Sequence, residues 1–183
     1  MRVQFHKTGE RRYSVVVLRD GTEPPRVDSA PGYDPLLPHD MQHFIVEQEL
    51  GIKWGIFGQV AAGGTARTFH HRHTTPNRRT SRTDRRSMKR GTSLADAGYK
   101  DAMRSERATY VCWFNWLSAS PKPALKDRAK KMVDTAKSIL AAMPNNERNQ
   151  YSPETIARIN TKMESVSRQW AELRVGQYLE LTW

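Results

Sequence analysis

The chain opens with two short alternating runs. Val3 and Phe5 stand against Arg2, Gln4 and His6, and residues 11–18 supply Tyr13, Val15, Val16, Val17 and Leu18. Aromatic and β-branched residues in such runs predict strands. The "KTGE" between them reads as a turn, and Asp20-Gly21 favours a second tight reversal. "EPPRVDSAPGYDPLLP" then holds five prolines, too many for regular structure. A helix is expected from about His39 to Leu50, started near Pro38 or Asp40 and ended by Gly51. "KWGIFGQVAAGG" predicts a second, shorter helix that Gly63-Gly64 stops.

The C-terminal half has the helical repeat of apolar positions. Tyr99, Met103, Tyr110, Phe114 and Leu117 make one stripe; Leu125, Met132, Ala136, Ile139 and Met143 a second; Ile156, Ile159, Met163, Val166 and Trp170 a third. Pro121 and Pro123 open the second helix, and Ser152-Pro153-Glu154 supplies a capping residue with proline in the first turn of the third. "PNNERN" joins those two, which predicts an antiparallel pair. In the closing "GQYLELTW", Leu179, Leu181 and Trp183 alternate with Tyr178, Glu180 and Thr182, a strand that can pair with the N-terminal hairpin.

The fold class that follows is α+β. A small antiparallel sheet, made of the N-terminal hairpin and the C-terminal strand, packs against four or five helices. Residues 1–183 are read as a single domain, long enough to bury a core.

Charge changes this picture in one place. Between Arg67 and Arg90 there are nine Arg or Lys and one acid, Asp84, so this window holds +8 of the formal +11. Its only large apolar residues are Phe69 and Met88. Residues 67–91 are therefore expected to be a flexible, basic internal segment, because little burial offsets the entropy of ordering it. Arg78, Arg79, Arg82, Arg85, Arg86, Lys89 and Arg90 recur among Thr, Ser and Asn, a pattern suited to nucleic-acid backbones or another polyanion. His70, His71 and His73 beside them read as extra polar contacts that would bind metals only loosely. Trp54, Trp113, Trp116, Trp170 and Trp183 could stack bases, but packing is the expectation for all five.

The remaining composition excludes more than it assigns. One cysteine, Cys112, rules out an intramolecular disulfide framework and reads as a small buried hydrophobe. The first fifteen residues lack an apolar run, so no signal peptide is expected. No stretch approaches the ~20 apolar residues of a membrane span. A soluble, cytoplasmic protein is the expectation.

The helix at 39–50 carries the candidate chemistry. His39, His43 and Glu47 recur every four residues and so share a face. On a helical wheel Asp40, His43, Phe44 and Glu47 occupy the arc turned to the core, and Gln42 and Glu49 the solvent side. Ionisable groups facing a core must satisfy one another or ligate a metal. Two imidazoles and a carboxylate suit zinc or iron and leave a position where water can be activated. Asp40 could be a fourth ligand, an orienting group or a base, and His6 a further ligand. The His39-Asp40-x-x-His43 element resembles a His-Asp-x-x-His element in a zinc-protein family of ubiquinone biosynthesis. The likeness covers that element alone; the family's next acidic ligand lies farther on, about where Gly55 stands here.

Three functions are compatible with these residues. A nucleic-acid-associated accessory protein would bind anionic backbones through the basic segment, and the charge anomaly puts this first. A metal-dependent enzyme, hydrolytic in type, would use His39, His43 and Glu47. A non-catalytic scaffold would simply satisfy its polar helix inside the core.

Overall fold

The computed structural model describes residues 1–19, 23–70 and 78–183, and side chains at 78–84, 86 and 87 are not described. The Asp20-Gly21 reversal therefore lies outside the described residues. Four strands, β1 (Arg2–Gly9), β2 (Arg12–Leu18), β3 (Arg26–Val27) and β4 (Tyr178–Thr182), form one antiparallel sheet in the order β3-β2-β1-β4. Val17 pairs with Val3 and Val3 with Leu181; Val15 pairs with Phe5 and Phe5 with Leu179. These rungs make one apolar face, on which Val3, Phe5, Tyr13, Val15 and Val17 are fully buried. The C-terminal strand thus completes the sheet begun by the hairpin, as the matching alternation predicts.

Eight helices occur among the described residues: α1 (His39–Glu49), α2 (Ile56–Ala61), α3 (Arg78–Ala97), α4 (Tyr99–Ala119), α5 (Pro123–Lys130), α6 (Val133–Ala142), α7 (Asn145–Arg148) and α8 (Pro153–Glu172). The expected helix through Leu125 and Met143 is broken at Lys131–Met132 into α5 and α6. Ser152 caps α8, its hydroxyl accepting the Thr155 amide at 3.2 Å. The antiparallel pair expected from α6 and α8 gives way to a different centre, since α5, α6 and α8 each pack on α4.

The basic segment divides. Residues 71–77, with His71 and His73, lie outside the described residues, whereas 78–97 form α3. No proline or glycine interrupts residues 78–90, and farther along α3 has an anchor. A Cβ on Gly91 would stand 2.5 Å from the Thr65 hydroxyl oxygen, so the helix lies close against the loop after α2.

Helix α1 is the centre of the molecule. Met41, Gln42, His43, Phe44, Ile45, Val46 and Glu47 are all buried, which no surface helix with one apolar face would show. Phe44 meets the sheet at Phe5, edge to face with centroids 6.0 Å apart, while α4 and α8 pack on other sides. The wheel placed Gln42 and Glu49 toward solvent. Gln42 instead lies inside, its amide donating to the Leu37 carbonyl at 2.7 Å, and Arg158 from α8 binds Glu49 at 2.6 Å.

Candidate metal centre

Two glycines shape the approach to α1. Gly32 has φ +72°, a left-handed conformation in which glycine is favoured, and a Cβ there would come 2.7 Å from the His39 Cβ. Its carbonyl accepts the His39 amide at 3.0 Å, so this turn delivers the first histidine to the start of the helix. His43 follows one turn later, with its ring centroid 4.6 Å from that of His39.

The carboxylate that joins them comes from α4. His39, His43 and Glu106 each offer a ligand atom, all within 4.8 Å of one another, in a grouping able to hold a metal ion. Glu106 Oε2 is 3.5 Å from His43 Nε2, too long for a good hydrogen bond. His43 Nε2 is accordingly a buried nitrogen with no hydrogen-bond partner. Such an atom is costly in a core unless something else uses its lone pair. His39 and Glu106 are exposed, so the group is open to solvent on one side.

Glu47, the third ligand expected from helical spacing, is placed elsewhere. His43 turns its two nitrogens in different directions, and Glu47 lies behind Nδ1 at 3.8 Å. The Glu47 carboxylate accepts the amides of Ile56 at 2.7 Å and Phe57 at 2.9 Å, the first two of α2. It also accepts the Ser105 hydroxyl at 2.7 Å. Glu47 is thus a buried cap for a helix whose first amides have no intrahelical acceptor. Gly55 makes this possible, because a Cβ there would fall 2.3 Å from the Glu47 carboxyl carbon. Where the resembling family continues to an acidic ligand, this chain needs an absent side chain.

Ser105 and Thr109 complete the surroundings of His43. Ser105 Oγ is 2.8 Å from His43 Nδ1 and Thr109 Oγ1 is 3.2 Å from it. Both are buried on α4, whereas Tyr99 and Met103 of the expected apolar stripe are 65% and 37% exposed. The helix turns another face inward, one that carries Ala108, Cys112, Trp113 and Trp116 together with Ser105 and Thr109. Glu106, next to Ser105, therefore reaches the rim. The sequence held no spacing signal for it, 63 residues from His43.

The electrostatics suit a cation site. Partial desolvation at the rim, and then the neighbouring His43, lower the His39 pKa against the opposing pull of Glu106 and Asp40, which favours the neutral imidazole a metal requires. Burial raises the pKa of Glu47, opposed by donors at Ser105, Ile56 and Phe57 and by His43. Burial likewise raises Asp40, whose carboxylate meets the Tyr13 hydroxyl at 2.7 Å. Asp40 stands beside the group but outside it. His6 is engaged on the sheet, 3.1 Å from the Gln4 side-chain oxygen and against Tyr178.

The other candidates are more dispersed. Arg85, Lys89 and Arg90 are exposed on α3, while the side chains of Arg78, Arg79, Arg82 and Arg86 lie outside the described residues. Trp113, Trp116 and Trp170 are buried, and Trp183 packs on Phe44 with centroids 5.4 Å apart. Trp54, at 43% exposed, departs from the expectation of packing. Among the described residues no helix is long and apolar enough to cross a membrane. Compared with known proteins, the chain matches no family model, no curated protein and no solved structure.

Proposed function

We propose that the chain holds one divalent metal ion between His39, His43 and Glu106 and uses it to activate water, as a metal-dependent hydrolase does. The observation that carries this reading is the buried, unpartnered Nε2 of His43, 3.5 Å from Glu106 Oε2 and grouped with His39. Two histidines and one glutamate form a donor set used by catalytic zinc, with a further position left for water. A metal there lowers the pKa of its water to about 7, supplying hydroxide at neutral pH. The same donors serve iron(II), so identity of the ion is part of the test.

Elemental analysis of tag-free protein tests this directly. About one zinc or iron per chain is expected in the wild type and in a His71→Gln/His73→Gln variant, which removes two histidines of the loosely binding tract. His43→Ala and Glu106→Ala should lose it. Removing all of residues 67–90 is unsuitable, because Phe69 is in the core and His70 bridges Arg26. A metal-free wild type would overturn the proposal and leave the cluster as the hydrogen-bonded interior of a non-catalytic scaffold.

A second reading, that the basic segment binds nucleic acid or another polyanion, is favoured by the exposure of Arg85, Lys89 and Arg90 on one helix.

A further inference from the structure

Serine has a single hydroxyl proton, and at Ser105 its destination can be worked out. Glu47 lies 2.7 Å from Ser105 Oγ, and both its oxygens already accept backbone amides from α2. Both backbone groups at that carboxyl are donors, the partners a carboxylate requires. Ser105 therefore gives its proton to Glu47 and presents a lone pair toward His43 Nδ1, 2.8 Å away. Two lone pairs at that distance repel each other, so Nδ1 must be the protonated nitrogen. Thr109, at 3.2 Å, is a second acceptor for the same N–H. In the neutral form that a metal binds, the ring then has its lone pair on Nε2, the atom that faces Glu106 and His39.

We propose that Ser105 and Glu47 are positioning residues of the metal centre. They hold His43 in the Nδ1–H tautomer with Nε2 presented to the ion. This rests on the metal reading above. A carboxylate that orients a metal-binding histidine through its second nitrogen is a general device of metal sites, and losing it typically lowers metal affinity 10–100-fold. Here a serine stands between the two, and the carboxylate is anchored by the start of α2 rather than by solvent.

Two measurements test the proposal. The first is histidine ¹⁵N NMR of metal-free wild-type protein, where His43 should show a protonated Nδ1 and an unprotonated Nε2. The second is zinc titration of wild type, Ser105→Ala, Ser105→Thr and Glu47→Gln, each checked for folding by circular dichroism. Ser105→Ala should bind zinc at least tenfold more weakly, whereas Ser105→Thr, which keeps the hydroxyl, should retain most of the affinity. Glu47→Gln should weaken binding by a separate route. Its NH2 must face either the Ile56 or the Phe57 amide, so one backbone contact is lost whichever way the group turns, and the hold on Ser105 and His43 loosens with it.

An Nε2–H ring in the wild type would overturn the proposal. So would a folded Ser105→Ala that binds zinc within twofold of wild type. Should Ser105→Ala not fold, the wild-type NMR still decides. A wild type that takes up no zinc or iron sinks the metal reading itself, a failure seen before any variant is compared.

Discussion

Gly55→Ala separates two opposing expectations. Gly55 has φ −66°, which alanine adopts without strain. On backbone grounds alone the substitution should stabilise the protein by about 0.4–1 kcal/mol, by reducing the freedom of the unfolded chain. The new methyl would, however, lie 2.3–2.6 Å from the carboxyl atoms of Glu47, so that carboxylate must leave. Its departure deprives the Ile56 and Phe57 amides of a charged acceptor, at about 1.5–3 kcal/mol each. The net expectation is a loss of about 2–5 kcal/mol. Urea unfolding followed by circular dichroism reads this as a lower midpoint at unchanged slope. A double-mutant cycle supplies the decisive comparison. With Glu47→Ala already in place there is nothing for the methyl to displace, and adding Gly55→Ala should be neutral or slightly stabilising. The backbone gain cancels between the two backgrounds, so the coupling between the two positions should be about 3–6 kcal/mol. Wild-type stability in Gly55→Ala, or a loss of the same size in both backgrounds, would refute the cap as the reason for this glycine.

Two further outcomes follow from burial and charge. Cys112 is fully buried and its thiol is pushed up to about 12, so at pH 8 a thiol reagent such as Ellman's should leave it unlabelled in native protein and label it on urea unfolding; fast native labelling would contradict its placement. If α3 binds polyanions, replacing Arg85, Lys89 and Arg90 with Gln should weaken binding to a single-stranded oligonucleotide, measured by fluorescence anisotropy, and flatten its dependence on salt. An unchanged affinity and salt slope would remove that helix from the interface.

Much of the fold was legible because its signals are local. Alternation in residues 2–6 and 178–183 identified strands and the face each buries, and Ser152-Pro153 marked the start of α8, where the capping hydroxyl is found. Periodicity also located His39 and His43 one turn apart on a helix turned to the core. These features depend on neighbours within one or two turns, which the order of residues states directly.

Only the tertiary structure decided what surrounds that helix. Helical spacing cannot tell which of two imidazole nitrogens faces a partner, and Glu47 lies beyond Nδ1 while the available lone pair is on Nε2. The third member of the metal group, Glu106, arrives on α4, which buries the face of Ala108, Cys112, Trp113 and Trp116 with Ser105 and Thr109 instead of the stripe through Tyr99 and Met103. Gln42, polar and apparently outward, is covered because helices pack around α1 on several sides. Gly55 looked like a missing ligand and is the space that a buried carboxylate occupies. Each of these depends on contacts between residues distant in the chain, and periodicity within one helix contains no information about which side chains another helix will bring.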